Sequence, residues 1–346
     1  MQESESPNPV LVEVFRKNTV ESRHRGAVAV VDGEGRIVLA IGDVSRIIFP
    51  RSSIKLFQAL PLIETGAADR FSLAPRDIAL ACASHNGENG HVSRVRDWLA
   101  ALGLEPDQLE NGPSLPYSAT VAREMLKAGE EPTRAHHNCS GKHTGMLTVA
   151  RHLGLEVAGY TGHRHGVQRA WMNAMSELVG FDVESLDWER DGCGAPAISM
   201  PLESLAHACA RYAAPDRLGG VRARAVRRIL DSVSAHPWMV AGTGRCCTDV
   251  IRMTAGRVVI KTGAEAVYTG VLPGQGLGLA LKIDDGSTRA SAVALGELLR
   301  RLGAISDDEY RALHGHFRPD ILNSNGDRTG CIAPSGSWGK WISRRP

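Results

Sequence analysis

Strand-like and helix-like segments are not mixed along this 346-residue chain; the strands stand at its two ends. Near the start, residues 26–31 and 36–41 are apolar runs on either side of Asp32-Gly33-Glu34-Gly35, which predicts a hairpin. Residues 11–15 alternate weakly, and 47–49 form a short run stopped by Pro50. Near the other end, runs at 250–253 and 258–261 flank Ala255-Gly256, and runs at 266–268 and 278–283 follow. Two strand blocks so far apart form a stable sheet only by pairing with each other. The prediction is an α+β fold in a single unit over 1–346. One largely antiparallel sheet draws on about 1–50 and 248–300, with a helical region over about 52–245 inserted between them.

Inside the insertion the period changes. Ile54, Leu56, Phe57, Leu60 and Ile63 suit one helical face, with Ser52 or Ser53 as cap, Pro61 as a kink and Gly66 as a stop. Further helices are predicted over 92–102, 120–128, 141–153, 166–179 and 221–236, and one over 291–302 after the last strands. Residues 191–197 interrupt the helices as a Gly/Pro loop, and 331–346 read as a loosely held tail.

Charge narrows the function classes. Forty Lys and Arg against 38 Asp and Glu give +2, too balanced for a general polyanion binder, so no nucleic-acid partner is expected. The basic run over 222–228 alternates with apolar residues and reads as a solvated helix face. No stretch reaches the roughly 20 apolar residues of a membrane span. The start, MQESESPNPV, lacks the basic and apolar pattern of a secretory signal. An odd count of seven Cys in that context predicts reduced thiols and a cytoplasmic location.

Five stretches carry chemistry. Ser52 and Lys55 are three apart at a predicted helix start, so they share a face. An ammonium there faces the positive end of the helix dipole and loses its proton more easily, which makes a base beside a hydroxyl. Lys261-Thr262-Gly263 ends a predicted strand, and Ser84-His85-Asn86 lies between the two. Ser-x-x-Lys, Ser-x-Asn and Lys-Thr-Gly in that order form the set of penicillin-recognising serine enzymes. Taken singly, each has a plainer reading: a capping serine, a polar turn and a strand-end cation. Cys139, in His136-His137-Asn138-Cys139-Ser140-Gly141-Lys142-His143, and Cys193, in Asp191-Gly192-Cys193-Gly194-Ala195-Pro196, are either buried inert thiols or ligands of one soft metal such as zinc. Gly274-Gln275-Gly276-Leu277-Gly278 does not match a dinucleotide fingerprint and reads as turn glycines, and His163 and His165 read as loop histidines.

These stretches, with Arg51-Ser52-Ser53-Ile54-Lys55, Cys82-Ala83-Ser84-His85-Asn86-Gly87-Glu88 and Lys261-Thr262-Gly263-Ala264-Glu265, make the chain resemble the class 3 L-asparaginases, the thermolabile Rhizobium etli-type asparaginase II family. The resemblance runs from about residue 50 to about 300 and does not reach the tail after Gly330. It implies a fold similar to serine β-lactamases and glutaminases, and hydrolysis of L-asparagine to L-aspartate and ammonia. It implies two Ser–Lys pairs, Ser52 with Lys55 and Ser84 with Lys261, and one zinc ion per chain at Cys139, Lys142 and Cys193. It also implies a homodimer. Arg51 and Asp191 are candidates by position for the zwitterionic ends of the substrate, and His85, Asn86 and His143 lie in the same motifs as further candidate contacts.

On this reading Ser52 attacks the side-chain amide with Lys55 as base, while Ser84 and Lys261 relay the proton to the leaving ammonia. A thiolate-rich zinc is expected to shape the pocket rather than act as the hydrolytic Lewis acid. The alternatives are a penicillin-recognising acyl enzyme, a glutaminase, and a non-enzymatic zinc or thiol module. Asparagine and glutamine differ by one methylene, which the sequence does not resolve.

Overall fold

The structure, a computed structural model, describes residues 8–341. The chain divides into two compact units. Among the described residues, one comprises 8–53, 200–214 and 262–341, the other 54–199 and 215–261.

The first unit is built on an antiparallel sheet drawn from both chain ends, as the segregation of strands requires. Strand Thr19–Asp32 is its spine. Its first half pairs with Val10–Arg16, and its second half with Leu277–Ile283 on one side and Ile37–Ile41 on the other. Val267–Leu272 pairs with Leu277–Ile283 across the turn that holds Gly274 and Gly276, so those glycines are turn residues. Ala27 to Val31 are all buried, which matches an apolar run in mid-sheet. Helix Leu202–Ala213 packs on this sheet, and Gly278 explains how: a Cβ there would meet the backbone of Ala206 and Ala210. Helix Thr288–Arg301 follows the last of these strands.

The chain end departs from expectation. Arg328–Pro334 is a strand paired with Val10–Arg16, and Asp320–Leu322 pairs with it in turn. Trp338 is 1% exposed and donates its indole N–H to Leu11 O at 2.8 Å. Residues 331–346 read as a tail in sequence because so short a segment shows no period, and pairing partners more than 300 residues away are invisible in a local window. Residues 342–346 lie outside the described residues.

The second unit is helical, with helices at Pro75–Ala81, Asn89–Ala101, Ala119–Lys127, Ser140–Leu153, Gly166–Val179, Gly220–Ala235 and Cys246–Met253. The last corrects the strand expected at 250–253: Val250 and Ile251 bury against the unit from a helix whose exposed face carries Arg252 and Met253. Helix Ser140–Leu153 is buried from Ser140 to Ala150. Gly141 and Gly145 permit that, since a Cβ on Gly141 would meet Leu80 O and one on Gly145 would stand 3.2 Å from the Ala81 methyl. Gly141→Ala is therefore expected to cost about 2–3 kcal/mol by overpacking, read as a drop in denaturant midpoint at unchanged slope.

The helix expected from Ser52 is broken. It runs as a 3-10 turn Arg51–Ile54, then Lys55–Gln58 and Leu60–Glu64, with Pro61 at the start of the last piece. No serine caps it: Ser53 Oγ donates to Pro50 O at 2.8 Å, and Gly66 has φ 84.

Candidate active site

Ser52 lies in the first unit, on a sharp corner. Arg51 has φ 55, a left-handed conformation that a non-glycine residue adopts at a cost of about 1–3 kcal/mol. The corner is braced by Ser53 on Pro50 O, by Thr269 Oγ1 donating to Ser53 O at 2.9 Å, and by Gly263 against Pro50 O. Gly263 is thus needed because its neighbour is backbone, which gives the Lys-Thr-Gly motif a local physical reason. The arrangement is that of a strained turn presenting a serine.

The second unit gathers the other motif residues. Ser84 Oγ lies 3.0 Å from Lys55 Nζ and 2.9 Å from Lys261 Nζ. The segment that carries Ser84 is pinned along its backbone. Ser84 N–H donates to Val240 O, His85 N–H to Asn138 O and Asn86 N–H to Ala241 O, at 2.9, 3.1 and 2.9 Å. Lys55 Nζ also lies 2.5 Å from Ala83 O and 3.1 Å from Cys139 Sγ.

Both lysines are buried, and burial disfavours the ammonium. Burial, followed by the Lys55 charge, pushes Lys261 down from 10.5 to about 7. Burial also lowers Lys55, with Cys139 opposing. The hydrogen bonds agree with a neutral Lys55. Its two N–H groups suit the Ala83 carbonyl and the Cys139 sulfur, which leaves its lone pair for the Ser84 O–H. Lys261 then donates to Ser84 Oγ, which orders a chain Lys261–Ser84–Lys55.

Cys139 and Cys193 meet in a buried cluster with Ala195. Lys142 Nζ lies 3.1 Å from Cys193 Sγ. A hydrogen bond from Cys139, with the Lys142 charge added, holds the Cys193 thiol well below its usual range. Burial works against the Lys142 ammonium, but Cys193, Cys139 and Asp191 together raise its pKa. No three His, Cys, Asp or Glu side chains converge on a point among the described residues. Two contiguous soft sulfurs with an amine at hydrogen-bond range nevertheless fit a zinc donor set once Lys142 is deprotonated.

The remaining candidates divide. His85 accepts from Gly87 N–H at Nδ1 and so carries its proton at Nε2, 2.9 Å from Ser140 Oγ, which donates to Ala135 O. Burial keeps this ring neutral, and its hydrogen bonds to Ser140 and Gly87 brace the Ser84 segment. Asn86 donates to Thr243 O at 3.0 Å and Glu88 Oε1 at 3.2 Å, and its Oδ1 accepts from Arg245 at 2.7 Å. His143 Nδ1 is 2.7 Å from Tyr160 Oη, and its buried Nε2 has no hydrogen-bond partner. Asp191 opens a tight turn in which its N–H donates to Ala195 O. His163 stacks on Trp188 at 4.2 Å, away from these motifs in sequence and in contact.

Sequence reasoning missed Tyr160, which links His143 to Glu110 N–H, and Arg245 with its partner Tyr117. A polar loop bracketed by glycines, Gly242-Thr243-Gly244-Arg245, was the signal available for the second.

Comparison with known proteins agrees with the motifs. The L-asparaginase II family matches residues 12–334, and the chain belongs to that family. The match extends beyond Gly330, consistent with the paired strand found there. Among solved structures, the chain is similar to Mglu in its native form, at 17% identity and a TM-score of 0.42, over 82% of this chain and 63% of that one. Its similarity to the glutamate form of Mglu is also 17% identity, with a TM-score of 0.44, over 82% of this chain and 62% of that one. A beta-lactamase from Mycobacterium bovis is 12% identical, with a TM-score of 0.31, over 90% of this chain and 96% of that one. The chain thus spans a little under two thirds of the length of Mglu. No curated protein matches it. No helix among the described residues is long and apolar enough to cross a membrane.

Proposed function

We propose that the protein is an amidohydrolase that converts L-asparagine to L-aspartate and ammonia through an ester formed on a serine. The observation that carries this reading is the Ser84 hydroxyl held between two buried lysines, in a chain of the L-asparaginase II family. A hydroxyl in hydrogen-bond contact with two amines of lowered pKa is placed to exchange a proton with either of them.

Ser52 attacks the side-chain carbonyl carbon and Lys55 takes its proton. The carbonyl π electrons move onto oxygen, which backbone N–H groups at the corner stabilise. Collapse of that intermediate breaks the C–N bond, and the proton passes through Ser84 and Lys261 to the leaving ammonia. Water then repeats the attack on the aspartyl ester and returns the proton. Arg51 remains a candidate substrate contact, and Asp191 a candidate partner of the substrate's ammonium.

A second reading has its own support. Because the Ser84 hydroxyl is the one on the Lys55 lone pair, Ser84 is the alternative nucleophile, with Ser52 an orienting group.

Either way, a lysine that accepts the serine proton while its partner is charged would put two ammoniums on one hydroxyl. Lys261 must therefore be neutral first. The kcat/KM for L-asparagine is expected to fall about tenfold per unit as pH drops below about 7. A profile flat from pH 5 to 8 contradicts the assignment.

Zinc at Cys139, Lys142 and Cys193 would hold the two sulfurs and the adjoining loop in place, a role in shaping the pocket. Its removal is then expected to raise KM more than it lowers kcat. Metal analysis with Asn kinetics before and after chelation tests this. The function itself is tested by ammonia release from L-asparagine, L-glutamine and, for the penicillin-type alternative, turnover of a chromogenic β-lactam.

A further inference from the structure

Arg245 precedes helix Cys246–Met253, on a loop fastened by Glu88, whose carboxylate accepts from the Thr243 N–H and hydroxyl, both at 2.8 Å. Its guanidinium is half-buried, donates Nη1–H to Asn86 Oδ1 at 2.7 Å, and lies over the Tyr117 ring at 5.8 Å. Neither partner carries charge. Among the described residues no carboxylate forms an ion pair with Arg245, whereas Arg94, Arg222 and Arg300 each have one. A guanidinium has five N–H donors, and a single hydrogen bond leaves most of its fork open. Asn86, which positions it, stands two residues from Ser84. Two residues span at most about 7 Å, the order of size of a four-carbon amino-acid amide.

We propose that Arg245 receives the α-carboxylate of the amino-acid amide whose side chain reacts at the serine–lysine cluster, held ready by Asn86 on one edge and Tyr117 on one face. This rests on the amidohydrolase reading above and adds the group that selects a free amino acid. A planar fork suits a carboxylate better than an ammonium does, and neutral partners hold it in place without satisfying its charge. That uncompensated charge also contributes to lowering Lys261.

The test compares L-asparagine with 3-aminopropanamide, the same amide without the α-carboxylate. In wild type, kcat/KM should be roughly 100-fold higher for L-asparagine, the scale of a lost partner to a desolvated charge. Arg245→Gln should lose that factor on L-asparagine, mainly through KM, and leave 3-aminopropanamide within about threefold. Arg245→Lys should recover part of the loss, and matched melting temperatures show that each variant is folded. Equal losses on both substrates would assign Arg245 to holding Asn86 and overturn the proposal, as would Arg245→Gln turning over L-asparagine like wild type. Absence of any amide hydrolysis by wild type would defeat the amidohydrolase reading instead.

Discussion

Lys261→Met is expected to abolish asparagine hydrolysis, by roughly 10³-fold or more in kcat, while making the protein more stable at neutral pH. The two effects share one cause. Lys261 is 1% exposed, and its pKa falls from 10.5 to about 7 on folding. Between those values the unfolded chain holds more protons than the folded one, so wild-type stability rises with pH across that window. Below about 7 the full penalty for burying the amine applies; above about 10.5 it vanishes. The span corresponds to about 5 kcal/mol between protonation states. Imperfect packing of Met and the lost contact to Ser84 reduce the gain, which leaves ~1–3 kcal/mol near pH 7. Urea unfolding of both proteins from pH 6 to 10 checks it, with the two curves converging toward alkaline pH. A less stable Met variant at every pH would mean that Lys261 is satisfied as an ammonium and is no participant in proton transfer.

Ser52→Ala and Ser84→Ala should each lower kcat by about 10³-fold or more, with different residual chemistry. If Ser52 is the nucleophile, Ser84→Ala breaks the link between Lys55 and Lys261 but leaves a hydroxyl able to form the ester. Rapid quenching with L-asparagine, followed by mass analysis, should then find the aspartyl adduct on Ser52 in wild type and, formed slowly, in Ser84→Ala. An adduct on Ser84 in wild type assigns the attack to the hydroxyl that sits on the Lys55 lone pair. The corner at Arg51 favours the first outcome, because strain at a serine-bearing turn has no structural benefit at a merely orienting residue.

Much of the molecule is legible in its sequence for simple reasons. The hairpin around Asp32-Gly33-Glu34-Gly35 and helix Gly166–Val179 announce themselves by turn composition and by period. Residues 250–253 do not, since four residues of mixed character fit a strand or the end of an amphipathic helix equally well. The strand Arg328–Pro334 is weakly apolar on its own, and only its distant partner makes it one. At the site, motif spelling brought Ser84, Lys55 and Lys261 forward as members of two separate pairs. Folding joins both lysines to one hydroxyl, a three-body contact that no spacing rule encodes. Arg245 escaped notice because a lone arginine in a glycine loop usually faces solvent. Its meaning lies in a neutral hydrogen-bond partner and no ion pair among the described residues, which only a structure reveals.

The most direct measurement is ammonia release from L-asparagine at pH 8 by wild type beside Ser52→Ala and Lys261→Met. Rapid release by wild type, lost in both variants while each remains folded, is the result predicted here. Release that survives in either variant removes that residue from the chemistry, and no release by the folded, zinc-supplied wild type contradicts an asparagine amidohydrolase altogether.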